Sequence, residues 1–222
     1  MHSSPLKLVV FDCDGTLVDS QYNITRCMEL AFNACGLTPP DHQDVRGVIG
    51  LNLDRAIHQL MEEKNDPELL DRLVGNYKAA FHDNRLQDDH EEPLFEGTLD
   101  VLEALEKAGV LMAVATGKSL RGLNAVIEMH GLQRYFTSLQ TPDTNPGKPH
   151  PQMLEQAMAK VGAEAADTYM IGDTSFDMML ARNAGCHPVG VNWGYHEEDI
   201  LKAAGASHIL STYPELLPLV IK

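Results

Sequence analysis

The chain has 222 residues, 44% apolar and 22% charged, and its 17 Lys and Arg against 32 Asp and Glu give a formal charge of −15. That length fits one large domain or one domain carrying an insert, and the ordinary globular composition excludes a disordered chain. Acidity without a basic run disfavours nucleic-acid backbones and anionic membrane surfaces as partners, and no apolar run approaches the ~20 residues of a membrane helix.

The start, Met1-His2-Ser3-Ser4-Pro5, lacks the charged-then-apolar pattern of a secretory leader. Cys13, Cys27, Cys35 and Cys186 form no CxxC pair and no metal-ligand spacing. Both features predict a cytoplasmic protein with reduced, buried thiols.

Leu6–Phe11 contains the continuous apolar run of a strand buried on both faces. From about Leu17 to Glu92 no strand-like run follows. Ile24, Cys27, Ala31 and Ala34 instead recur at helical spacing, as do Leu53, Ile57, Leu60 and Met61, and Pro67 opens a third helix reaching about Phe81. These predict a small helical bundle inserted after the first strand. Between its helices, Arg46-Gly47-Val48-Ile49-Gly50-Leu51-Asn52 reads as a loop, and Asp88-Asp89-His90-Glu91-Glu92-Pro93 as a solvated return linker.

The rest alternates. Helices are predicted at Thr98–Ala108, from the Ser119 cap to Gly131, at Pro151–Val161 and at Ser175–Gly185; strands are predicted at Val110–Ala115, Tyr169–Ile171, Pro188–Val191 and His208–Leu210. Strand followed by helix, repeated, predicts an α/β fold: a parallel sheet doubly wound with helices on both faces. The domain reading is therefore a core of residues 1–16 and 94–222 with an all-α insert at 17–93.

The strongest chemical signal is Phe11-Asp12-Cys13-Asp14-Gly15-Thr16-Leu17. It puts two carboxylates at the C-terminal end of a buried strand, where open α/β sheets bind ligands. An ionised aspartate can attack phosphorus without an activating base, and a second carboxylate can protonate the leaving alkoxide and then take a proton from water. Alone, the pair reads more readily as a cap on the turn.

Three later segments end strands at the same expected edge. Thr116-Gly117-Lys118 offers a hydroxyl and backbone N–H groups to an anion; Gly147-Lys148-Pro149 offers an ammonium; Gly172-Asp173-Thr174-Ser175-Phe176-Asp177 offers two carboxylates one helical turn apart. With Asp12, these oxygens suit a hard cation such as Mg²⁺.

In order and spacing, the four segments resemble the motifs of the haloacid dehalogenase-like superfamily of aspartyl-phosphate phosphatases, and the insert lies where that family carries its C1 cap. The match covers almost the whole chain. Within the superfamily the sequence is similar to phosphoglycolate phosphatases, a likeness its tail from Gly190 to His196 shares.

The resemblance implies a Rossmann-like core and a phosphatase acting on a small phosphorylated metabolite such as phosphoglycolate. Asp12 would be the nucleophile and Asp14 the acid and base. Thr116, Gly117 and Lys148 would hold the phosphate, and Asp12, Asp14, Asp173 and Asp177 would form the Mg²⁺ site. Related proteins turn the Arg46–Asn52 region toward the active site, so Arg46 and Asn52 become candidates for reading the substrate's far end. A phosphomutase of similar architecture is the alternative, and the chain is expected to be a monomer or homodimer. Lys118 reads as an exposed lysine, Asp19 and Ser20 as the start of a helix, and Trp193 and Tyr195 as packing residues.

Overall fold

The computed structural model describes residues 6–87 and 90–221. Met1–Pro5, Asp88, Asp89 and Lys222 lie outside the described residues, and with them the leader reading and the first part of the acidic linker.

The chain starts with strand β1 (Leu8–Phe11), all four residues of which are buried. It then leaves the sheet for four helices, α1 (Gln21–Ala34), α2 (His42–Val48), α3 (Leu53–Leu60) and α4 (Pro67–Arg85). Their inward residues, among them Ile24, Met28, Phe32, Val45, Ile57 and Leu73, form a hydrophobic cluster of their own. The exit and return segments are stitched together: Val18 bridges Leu94, Asp19 N–H donates to Pro93 O at 2.8 Å, and Phe95 N–H donates to Leu17 O at 3.0 Å.

After the insert come α5 (Thr98–Lys107), β2 (Leu111–Ala115), α6 (Leu120–Met129), β3 (Phe136–Gln140), α7 (Gln152–Val161), β4 (Thr168–Gly172), α8 (Ser175–Asn183), β5 (His187–Val191), α9 (Glu198–Ala204) and β6 (His208–Leu210). All neighbouring strands pair in parallel, in the order β3-β2-β1-β4-β5-β6. Successive strand residues point to opposite faces, so β1 supplies both cores. Val9 and Phe11 pack with Leu102 and Leu105 of α5 and Leu123 of α6, whereas Leu8 and Val10 pack with Met153 and Leu154 of α7 and Leu180 of α8. Truncating a fully buried member such as Leu102 to Ala costs about 2–5 kcal/mol.

The strand order sets the site. From β1 the chain winds outward through β2 to β3, then returns to place β4 on the other side of β1. That reversal opens a crevice beyond the C-terminal ends of β2, β1 and β4.

Several expectations are corrected. Phe136–Gln140 forms the edge strand β3, which the spacing of the sequence does not announce, because only alternate residues of this mixed segment are buried. Residues 46–48 lie in α2, not in a loop; Val45 and Val48 bury its inner side, and exposed Gly47 is tolerated at a helix-propensity cost of ~1 kcal/mol. Helix α4 continues past Phe81 to Arg85. The linker is not solvated throughout, since Glu92 is 1% exposed.

Candidate active site

Asp12 follows β1, Thr116 and Gly117 follow β2, and Asp173 follows β4, so the crevice gathers residues far apart in the chain. Lys148 lies in the loop before α7, and Asp177 in the first turn of α8. Asp12, Asp173, Asp177, Lys148 and Thr116 are each at most 1% exposed. Gly15 makes the turn between the two N-terminal aspartates and the rest of the motif, with a φ of +81°, and a Cβ there would overlap the Asp173 carboxylate and the Tyr195 ring.

Lys148 Nζ lies 2.7 Å from Asp12 Oδ2 and 2.6 Å from Asp177 Oδ1. Asp177 Oδ2 accepts hydrogen bonds from Thr174 N–H at 3.0 Å and Thr174 Oγ1 at 2.7 Å, which closes the capping box of α8. Both Asp177 oxygens are therefore engaged, and the residue orients Lys148. Asp173 accepts from Thr16 Oγ1 at 2.9 Å and from Tyr195 N–H at 3.0 Å.

Burial is the largest influence on Asp12 and raises its pKa to about 7; Lys148 opposes this rise and Asp177 adds to it. Burial, then the Asp177 and Asp12 charges, push Asp173 well above the ordinary carboxylate range. Burial opposes the Lys148 charge, but Asp12 and Asp177 outweigh it and hold the ammonium above its usual value.

These residues fit a divalent cation. Oxygens of Asp12, Asp173 and Asp177 lie within 4.8 Å of one another. Asp12 Oδ2 is buried with no aligned hydrogen bond among the described residues, only the ion pair with Lys148. Crowded buried carboxylates of this kind lose charge unless a cation compensates them.

Asp14 stands across the crevice in a second group. Its Oδ1 accepts from Ser20 Oγ at 2.5 Å and lies 2.8 Å from Lys118 Nζ. Lys118 is a correction: its side chain is 8% exposed and reaches Glu92 Oε1 at 3.2 Å. Glu92 Oε2 in turn meets Arg85 and His90, each at 3.3 Å. Ser20 starts α1 without a side-chain capping bond and turns to Asp14 instead. The sequence nominated Asp14 from this group, and the position of Lys118, two residues beyond Thr116, was the signal for its partner.

The cap candidates divide. Asn52 lines the cavity between insert and sheet, and its side chain lies against Gly147, where a Cβ would be 2.6 Å from Asn52 Oδ1. Arg46 does not line that cavity; Nε donates to Tyr195 O and Nη2 to Gly194 O, both at 2.8 Å. Its guanidinium thus fastens α2 to the loop after β5. Tyr195 packs in the hydrophobic cluster of the insert, and Trp193 donates to Thr16 O at 3.3 Å. Gly117 sits directly beneath the Gly50 and Leu51 carbonyls, too close for any Cβ.

Among the described residues no helix is long and apolar enough to cross a membrane. The chain is 36% identical over 214 residues to the probable phosphatase IndB of Dickeya dadantii, covering 95% of this chain and 91% of that one. It is 31% identical to a phosphoglycolate phosphatase of Vibrio parahaemolyticus, covering 99% and 98% of the two chains. The fold is shared with the crystal structure of a predicted phosphoglycolate phosphatase from Haemophilus somnus at a TM-score of 0.86 and 22% identity, over 97% and 98% of the chains. Residues 9–191 match the haloacid dehalogenase-like hydrolase family, and the chain belongs to it.

Proposed function

We propose that the chain is a Mg²⁺-dependent phosphatase that hydrolyses small phosphate monoesters through a phospho-aspartate. The observation that carries this reading is Asp12 held at the crevice between Lys148 and the Asp173 carboxylate, with Asp14 on the opposite wall.

An Asp12 carboxylate oxygen attacks phosphorus. The bond from phosphorus to the ester oxygen breaks, and Asp14 gives its proton to the departing alkoxide, releasing the alcohol. Water then attacks the phospho-aspartate while Asp14 takes its proton. The acyl-phosphate O–P bond breaks, freeing inorganic phosphate and restoring Asp12. The sum is ester plus water to alcohol plus phosphate.

Thr116 and the Gly117 N–H hold phosphoryl oxygens, and Lys148 offsets their charge. The Asp12 and Asp173 carboxylates and the Asp14 carbonyl would hold Mg²⁺, with Asp177 behind Lys148. When bound, Mg²⁺ supplies further charge neutralisation for the phosphoryl group. Residues 17–93 serve as a cap that covers the crevice and excludes water from it.

A phosphate-release assay over a panel of metabolite esters, with and without Mg²⁺, tests the reading. Phosphoglycolate belongs in that panel because several relatives carry its name. The expected result is Mg²⁺-dependent phosphate release. Interconversion of sugar phosphates without free phosphate would favour a mutase instead.

A further inference from the structure

The crevice continues upward into a cavity of about 420 Å³ between sheet edge and cap, a size that pockets use to enclose ligands much larger than phosphate. Its floor is the phosphate end: Asp12, Asp14, Thr116 and Gly117. Much of its upper wall is apolar. Met28, Val48, Leu51, Ala56, Tyr77 and Phe81 line it from all four cap helices and the loop after α2. The Tyr77 and Phe81 rings lie 5.8 Å apart with their planes inclined at 34°.

The deep cations in this cavity are largely engaged, although Arg85 Nε is buried without a hydrogen-bond partner among the described residues. Lys118 is paired with Asp14 and Glu92, and Arg85 donates to Glu92 and to Gly122 O. The arginine that the sequence nominated to read the substrate's far end, Arg46, is bound to backbone carbonyls outside the cavity. Of the remaining lining cations, Lys78, His82 and Arg121 are on exposed positions, and the exposed acids Asp54 and Asp143 line the same cavity.

A short carboxylated ester would not reach across this wall and would leave its apolar side chains wet. A flat neutral ring would instead displace water from Met28, Tyr77 and Phe81, and that remote binding energy can be used in the transition state.

We propose that the site acts on phosphate monoesters of neutral alcohols carrying a flat, uncharged ring, in preference to short carboxylated esters such as phosphoglycolate. This rests on the phosphatase reading above, and the chemistry at phosphorus is unchanged.

The test is kcat/KM of the native protein with Mg²⁺ for benzyl phosphate, glucose 6-phosphate and phosphoglycolate. Benzyl alcohol is an ordinary primary alcohol, so the ratio reads binding of the ring and not leaving-group strength. Benzyl phosphate is expected to exceed each of the others at least about tenfold, a difference of ~1.4 kcal/mol. In Ala56→Phe, which narrows the cavity, the ratio of benzyl phosphate to phosphoglycolate turnover is expected to collapse. Tyr77→Ala, on a half-buried position of α4, provides a second variant and is expected to raise KM for benzyl phosphate alone.

Phosphoglycolate or glucose 6-phosphate turned over as well as benzyl phosphate would overturn the proposal and leave the phosphatase reading standing. A benzyl-to-glycolate ratio unchanged in both folded variants would overturn it in the same way. No Mg²⁺-dependent phosphate from any ester would overturn both.

Discussion

The Lys118 ammonium lies 2.8 Å from Asp14 Oδ1 and 3.2 Å from Glu92 Oε1, joining a crevice carboxylate to the segment through which the chain returns from the insert. Burial opposes its charge, but Asp14 and Glu92 outweigh that and hold the ammonium above its usual value. Glu92 is further tied to Arg85 at the end of α4, so one buried network touches crevice, linker and cap. Removing one partner of a buried pair typically costs about 3–5 kcal/mol, because the other charge stays behind. Lys118→Met is therefore expected to lower both melting temperature and turnover. Adding Glu92→Gln should recover part of the stability, a coupling of about 0.5–3 kcal/mol in a double-mutant cycle. Strict additivity of the two losses would show that the pair is not coupled.

The nucleophile assignment is tested by Asp12→Asn. Phosphate release should fall to background and no phospho-enzyme should form on incubation with substrate. Because burial already disfavours the Asp12 charge, the neutral amide should fold with undiminished thermal stability. Residual turnover in the purified variant would remove Asp12 from that role.

Metal binding can be read without catalysis. A ligand that binds only the folded state at ~100 times its Kd stabilises by about 2.7 kcal/mol. Mg²⁺ should accordingly raise the melting temperature of the native protein. Asp173→Asn should abolish the rise, while Asp177→Asn, which loosens Lys148, should reduce it only partly. An undiminished Mg²⁺ shift in Asp173→Asn would exclude that residue as a ligand.

Acid should loosen the linker network. Burial raises the Glu92 pKa, but Lys118 and Arg85 outweigh it and hold the carboxyl below its ordinary 4.5. The folded state then binds fewer protons than the unfolded one, so this stabilisation is present above pH 4.5 and is lost as pH falls through the folded value. Melting curves from pH 6 downward should show a steeper acid loss for the native protein than for Glu92→Gln. Parallel curves would remove Glu92 from the acid response.

Arg46 is expected to act as a fastener. Its two 2.8 Å bonds to the Gly194 and Tyr195 carbonyls join α2 to the loop that positions Asp173. Arg46→Ala should lower the melting temperature, since hydrogen bonds from charged donors are worth about 1.5–3 kcal/mol each. The ratio of kcat/KM between carboxylated and neutral esters should stay constant. A selective loss with carboxylated esters would return Arg46 to the substrate.

Much of the site was legible because its signals are local. An apolar run followed by Asp12-Cys13-Asp14-Gly15 specifies a buried strand and a turn wherever the chain goes, and Thr116 and Asp173 follow their strands in the same way. The helical spacing of Ile24 to Ala34 and of Leu53 to Met61 likewise announces an insert that buries itself. Tertiary structure alone decided which charges would meet. Lys118 finds Glu92 across 26 residues and Arg46 finds Tyr195 across 149, and only those partners make the first a buried ion and the second a backbone clamp. β3 became a strand because β2 offered it an edge, and the cavity gained an apolar wall because separate cap helices converge on it. Length, composition and periodicity determine a parallel sheet carrying a helical insert, and the resemblance of its motifs to a known family adds the hydrolase. Which side chains the folded chain leaves unpaired above the crevice is a property of long-range packing, and that is what bears on the ester it receives.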